Sequence, residues 1–544
     1  MKKLLAFSSP KKLLALGSQL LAFMSHKNVV QGHGSLGPDF SPGCERIEHR
    51  AVTRILNMMA LFAEGKLAGT LIVIFAAVSS LHLFGQNTRN QQAARPSAQQ
   101  QTAPAQPIVL RGGKLLTITH GTINNGAVVM ENGKIAAVGA AASVRAPGNA
   151  RVIDVTGMTV YPGLIDAESH LGLTEISAEE MTNDLVETSD EIMPHMHVYD
   201  AFHAESELIP VTRINGITNA IVAPAEGDSV AGQDSFIQLA GRNRDEMILG
   251  RDVALEITFS GQQRRQGGGG GGRPGGQQGP RFPETRMGLA AQLRQALLDA
   301  QDYARRAAAA ERGGSRSSAE AGADSQASSD QQSSEESQRG GARGGAFKRD
   351  LKLEALVPYL QGRKPVVLGA HQADEVLTAM DIAHEFNLKV ILNHVERTEN
   401  ILDQLAAYKV SVIVGPIYAA PGSEQRYDAI FSLPAELVKR GVKIAFASYT
   451  DTHNARNLPY AAGYSVAYGL PYDEALKALT INPAEMFGVA DQLGSLDVGK
   501  TANLVVANGD PLDVKTDVKH VFIAGREVPL VSRQTELRDQ YWPK

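Results

Sequence analysis

The sequence predicts an α/β chain: a TIM-type (β/α)8 barrel joined to a small β-domain. Three observations carry this. The apolar runs NAIVAP, VALEITF, PVVLGAH, KVILNH, VSVIVGP and VKIAFASYTD alternate with helical periodicity from Leu164 to about residue 491. Alternation over that length argues for parallel strands linked by crossover helices. Short β-branched runs with Gly and Asn-Gly turns come before them (PIVLRGGKLLTI, GAVVMENGKIAAVG, ARVIDVTGMTVYPG), the pattern of hairpins. Strand-like runs return in the tail, in TANLVVANGDPL and HVFIAGREVPL, placed to complete the first β-domain.

The first hundred residues read differently. Residues 67–85, LAGTLIVIFAAVSSLHLFG, are an apolar run without charge. A membrane helix needs about 20 such residues, so an export signal and a retained anchor helix compete, with a non-membrane helix as the third reading. Met58 and Met59 are alternative starts, which makes 1–57 a non-native or disordered extension, 58–86 the signal or anchor, and 87–106 a polar linker. The expected location is therefore exported, periplasmic or secreted. The β-domain is expected over 107–163 and 492–535 and the barrel over 164–491.

Two inserts interrupt the barrel, at 262–280 with six consecutive glycines and at 312–346, rich in Ser, Gly, Gln, Ala and Glu. Neither has enough apolar surface to offset its ordering entropy, so both are expected to be disordered. Between them Leu289, Leu293, Leu297 and Ala300 repeat at helical spacing, which predicts a barrel helix. No aromatics interleave with the arginines beside the glycine run, so RNA binding is not the reading there.

Composition bounds the function. The chain has 544 residues, 43% hydrophobic and 20% charged, with a formal net charge of −5. That excludes a chain dominated by a basic nucleic-acid face. A single cysteine, Cys44, excludes a disulfide scaffold and a cysteine-built zinc site.

Chemistry is expected at strand ends, where a barrel places its active site. Strand Leu164-Ile165 runs into Asp166, and alternation puts Glu168 and His170 on one side. His371 follows the apolar run 365–370, His394 follows 389–393, and Asp451 follows 442–450. Each alone is better read as an ordinary polar residue; four such endings in one barrel point to a shared cation. Other candidates are weaker. His195 and His197 form a His-x-His with no apolar strand before it. Glu226 to Gln233 follows NAIVAP and reads as a substrate-facing loop, lacking the lysine of a phosphate loop. His453 and Arg456 sit where they would bind a substrate carboxylate, Arg456 bidentately, or form a solvated loop.

These motifs resemble the amidohydrolase superfamily of metal-dependent hydrolases, and within it the imidazolonepropionase-like branch. The resemblance rests on PGLIDAESHLGL (162–173), GAHQADEVLTAMDIA (369–383), KVILNHVE (389–396), SYTDTHNARNLP (448–459) and ALTINPAEMFGVADQLGSLDVGKTANLVVANGDPL (478–512). It covers about residues 107–533 without the inserts. It implies a barrel plus a composite β-sandwich formed from both chain ends. The family's first-strand His-x-His falls on Glu168 and His170, its fifth-strand histidine on His371, and its eighth-strand aspartate on Asp451. These four are the implied metal ligands. His394 takes the sixth-strand position that contacts substrate and polarises the scissile carbonyl. Asp374 takes that of an acidic group able to accept the water's proton, a role Asp451 also suits. No lysine occurs between Met247 and Gln263, where the fourth strand is expected, so one divalent metal is implied: zinc, with manganese and magnesium as alternatives.

The departure from the pattern is Glu168 in place of a histidine. With a divalent cation, two histidines, Asp451 and Glu168 sum to neutrality, which acidifies bound water less and shifts preference toward manganese or magnesium. The reading is a hydrolase acting on an amide-type C–N bond of a cyclic amide or small peptide; the alternative is a catalytically impaired binding protein with a degenerate metal site. The expected partners are a small-molecule or peptide substrate, no nucleic acid, the membrane in the anchor reading, and a second copy of the chain.

Overall fold

The computed structural model describes residues 106–187, 189–259, 283, 285–320, 347–419, 425–449 and 452–542, the last eight residues of 285–320 by backbone only. The expected extension, the signal or anchor, nearly all of the linker and the insert at 262–280 lie outside these residues. Among the described residues no helix is long and apolar enough to cross a membrane.

Both chain ends build one eight-stranded sheet. It contains β1 (Ile108–Leu116), β2 (Thr122–Glu131), β3 (Lys134–Ala140), β4 (Arg151–Asp154) and β5 (Thr159–Pro162) from one end. The other end adds β16 (Leu504–Ala507), β17 (Val518–Ile523) and β18 (Arg526–Val528). The two ends meet where β5 pairs antiparallel with β16, from Pro162 opposite Leu504 to Thr159 opposite Ala507. Instead of two separate sheets, a single ladder forms in which β1 changes partner midway, from β4 at Ile108–Arg111 to β5 at Lys114 and Leu115. Gly112 sits at the change with φ +96°, a conformation suited to glycine. Strand alternation then divides the side chains. Leu504, Val506 and Phe522 enter the sheet's own core with Leu110 and Leu115, while Val505, Ala507, Val521 and Ile523 face the α/β core.

The α/β part contains β6 (Leu164–Ser169), β7 (Ile217–Val222), β8 (Val230–Gln233), β9 (Ser235–Gln238), β10 (Ile248–Gly250), β11 (Leu255–Thr258), β12 (Val366–Gly369), β13 (Val390–Asn393), β14 (Ser411–Val414) and β15 (Ile444–Phe446). The ladders form two sheets, β10-β9-β7-β6 and β15-β14-β13-β12-β11-β8, not one closed ring. Most neighbours are parallel, as expected, but β8 runs antiparallel to β11 and β9 antiparallel to β7. The cause is the short link 223–229: a parallel return needs about a dozen residues or more, so the chain doubles back.

Hydrogen bonds tie the two sheets at both edges. Asp234 N–H donates to Ala254 O at 3.0 Å, and Tyr449 N–H donates to Glu168 O at 3.0 Å. Ile165, Ile221, Phe236, Val367, Ile391, Ile413 and Ala445, from seven strands of the two sheets, meet in one buried cluster. Their neighbours along the strands, such as Val366, Leu368, Leu392, Val412 and Phe446, pack instead with the helices. Helices Ala373–Glu385, Leu402–Ala407 and Ala429–Lys439 follow β12, β13 and β14. The helix expected around Leu289–Ala300 spans Arg286–Glu320. It thus runs past residue 312, where disorder was expected, and the rest of that insert lies outside the described residues.

Candidate metal centre

β7 and β12 point the same way, because each lies antiparallel to the β8–β9 segment or parallel to a strand that does. The chain leaving β7 therefore emerges at the same end as His371 after β12 and His394 after β13. Glu226 sits on the β7 exit, and its carboxylate joins the two imidazoles: one ligand atom from each of Glu226, His371 and His394 lies within 4.8 Å of the others. His371 Nε2 is 2.9 Å from Glu226 Oε2, and His394 Nε2 is 3.8 Å from Glu226 Oε1. Gly369 makes the space for this carboxylate, since a Cβ there would stand 2.7 Å from Glu226 Oε1.

The backbone holds the rings in place. His371 N–H and Gln372 N–H both donate to Glu375 Oε2 at 3.1 Å, the capping box of the helix that follows. His394 and Tyr449 adopt positive φ, +57° and +52°, uncommon for residues with a Cβ and found where surrounding structure enforces them. Their rings lie 4.3 Å apart, and the His371 and His394 rings stack at 4.9 Å. Tyr449 OH donates to Asn393 Oδ1, and Asn393 Nδ2 donates to Glu168 Oε2.

Electrostatics follow from this packing. Burial would raise Glu226, but His394 and His371 outweigh it and hold the carboxyl at about 2. Burial opposes charge on His371, yet the bonds to Glu226 and Glu396 prevail and push it up to about 10. Burial lowers His394, and lowers His170 to about 4. Glu168 is pushed well above the usual carboxylate range by burial, with Asp234 and Glu226 adding to the effect.

Of the four residues expected to share one cation, three lie among the described residues, and of those three His371 belongs to this group. Glu168 is buried and turned to Asn393, with Oε1 3.9 Å from His394 Nε2. His170 Nδ1–H donates to Ala223 O at 2.7 Å, bracing the loop that carries Glu226. Asp451 lies outside the described residues. His394, expected to contact substrate, sits among the ligand atoms. The Asp374 carboxylate, expected to take a proton, forms an ion pair with Arg286 and is 63% exposed. His453 Nε2 contacts Glu175 O at 3.1 Å, and the Arg456 carbonyl accepts from Asn215 Nδ2 at 2.5 Å. His197 Nδ1 pairs with Asp252 at 2.7 Å. Sequence reasoning missed Glu226 as a candidate ligand and Asn393 and Tyr449 as supports. The signal for Glu226 was present, an acid close behind an apolar strand, but it was read as facing substrate.

The residues fit a divalent cation. Tetrahedral donors bonded at 2.0–2.1 Å stand about 3.3 Å apart; His371 Nε2 stands 2.9 Å from one Glu226 oxygen and His394 Nε2 3.8 Å from the other. Glu226 Oε1 is buried without a hydrogen-bond partner, a state that a ligand relieves.

Residues 372–528 match the profile of the Amidohydrolase family. The chain is 24% identical over 389 residues to amidohydrolase tasK of Hapsidospora irregularis, covering 70% of this chain and 37% of that protein. It is 26% identical over 126 residues to an adenine deaminase of Listeria monocytogenes serotype 4b (strain F2365), covering 23% and 16%. It thus spans little more than a third of tasK and less of the deaminase. The crystal structure of an amidohydrolase from Thermotoga maritima MSB8 superposes with a TM-score of 0.65 and 28% identity, over 78% of this chain and 100% of that one. That superposition over the whole of a solved amidohydrolase, and the profile match over residues 372–528, make the chain similar to the amidohydrolase family.

Proposed function

We propose that this protein is a metal-dependent hydrolase of an amide-type C–N bond. It would work with one divalent cation, zinc, held by Glu226, His371 and His394. The convergence of these three side chains carries the reading. Two imidazoles and one carboxylate are a donor set that suits zinc. We further propose that the two sheets act as one closed barrel with its third strand reversed; the paired edges and the shared interior cluster support this.

A divalent cation held by Glu226, His371 and His394 would supply Lewis acidity toward a carbonyl and toward water. The chain's own groups hold the geometry. The His371 ring, stacked on His394, and the tilted Tyr449 ring packed against it restrict the His394 ring plane. Asn393 Nδ2 donates to Glu168 Oε2 and fixes that carboxylate. In this reading Asp451 accepts the water's proton, and Arg456 contacts a substrate carboxylate. Candidate substrates are cyclic amides and small peptides. Export through the segment 58–86 belongs to the same proposal.

The test is a hydrolysis screen of dipeptides and cyclic amides with the full chain, with chelator and with added Zn²⁺ or Mn²⁺. Turnover that chelator abolishes and zinc restores supports the reading. Metal-independent turnover contradicts it, and so does a chain that takes up no metal and hydrolyses nothing, which belongs to the binding-protein alternative.

A further inference from the structure

We propose that Glu396 is a positioning residue, one that fixes which ring nitrogen of His371 carries the proton and so presents Nε2 to the cation. This rests on the metal site proposed above. His371 lies between two carboxylates, with Nε2 2.9 Å from Glu226 Oε2 and Nδ1 3.6 Å from Glu396 Oε2. A neutral imidazole offers a lone pair at one nitrogen only when the proton sits on the other. A carboxylate facing the second nitrogen sets the tautomer and the ring orientation together.

Local structure places Glu396 for this. Its N–H donates to His394 O at 2.8 Å, and the next residue, Arg397, donates to His371 O at 2.9 Å. The turn after β13 thus ties Glu396 to the backbone of both histidines. Gln425 Nε2 donates to the Glu396 carbonyl at 2.9 Å and holds the turn from outside. The His371 side chain is 7% exposed and that of Glu396 25%, so the ring is dry while the carboxylate keeps a solvated edge. Glu375, the other acid beside His371, is engaged with backbone N–H groups.

The experiment measures zinc affinity of the full chain by chelator competition, and the visible spectrum of the cobalt-loaded protein, for wild type, Glu396→Ala, Glu396→Gln and Glu399→Gln. The expected result for Glu396→Ala is a loss of about 10–100-fold in zinc affinity with shifted cobalt bands. Glu396→Gln, which keeps an acceptor oxygen, recovers part of the affinity, and Glu399→Gln matches wild type. Zinc affinity of Glu396→Ala within twofold of wild type overturns the proposal. Nitrogen-15 NMR of the zinc-loaded wild type tests it without any variant: a proton on His371 Nδ1 is expected, and a metal-bound Nδ1 overturns it. A wild type that takes up no zinc is a separate result and removes the metal site itself.

Discussion

Glu226 Oε2 and His371 Nε2 meet at 2.9 Å across 145 positions of sequence. The exits of β7 and β12 share one end of the sheets, and Gly369 leaves the carboxylate room.

Glu226→Ala removes the one carboxylate of the three-residue group. The expected outcome is a loss of zinc affinity larger than the roughly 100-fold typical of outer-shell partners, and a fall in hydrolysis of at least that size. Equilibrium dialysis with zinc and steady-state kinetics check it.

Gly369→Ala places a methyl 2.7 Å from Glu226 Oε1, closer than the two atoms can stand. The carboxylate must move, and displacement of a positioned group by about 1 Å costs up to ~100-fold in rate. The expected variant folds, binds zinc more weakly and loses kcat/KM; paired zinc titration and kinetics decide it.

Asp374→Asn is expected to leave turnover within about twofold of wild type. Its carboxylate is exposed and paired with Arg286, and such surface pairs contribute about 0–1 kcal/mol. A large drop in kcat would return Asp374 to the proton-accepting role its sequence position implies.

Asp166 gives a pH signature. Burial, working against donated bonds from Ser448, pushes its carboxyl up to about 7, compared with about 4 in an unfolded chain. The folded protein therefore holds this proton more tightly than the unfolded chain does. Its contribution to stability is complete below pH ~4, falls as pH rises towards ~7, and is level above that, a change of about 4 kcal/mol. Asp166→Asn should remove this decline. Denaturant unfolding of both proteins from pH 4 to 8 should show their stability difference moving in the variant's favour as pH rises.

The parts legible in the sequence were those where an apolar run ends directly on a ligand-type residue. β12 and β13 hand over to His371 and His394 within two residues, and alternation placed Glu168 within a buried strand. Glu226 stands four residues beyond β7, past Ala223, Pro224 and Ala225. Strand alternation no longer fixes a side chain's direction there. The reversed β8–β9 segment was hidden for a related reason: apolar runs reveal strands but not their direction, and only the short link after β7 decides that. The single ladder joining both chain ends depends on β1 changing partners, which no local pattern encodes.

Diffraction at the zinc edge from crystals of the full chain grown with zinc locates the cation itself. One anomalous peak is expected, about 2.0–2.2 Å from a Glu226 oxygen and from one nitrogen each of His371 and His394. A zinc peak bonded to Glu168 and His170 with Glu226 uncoordinated, or no peak at all, would contradict it.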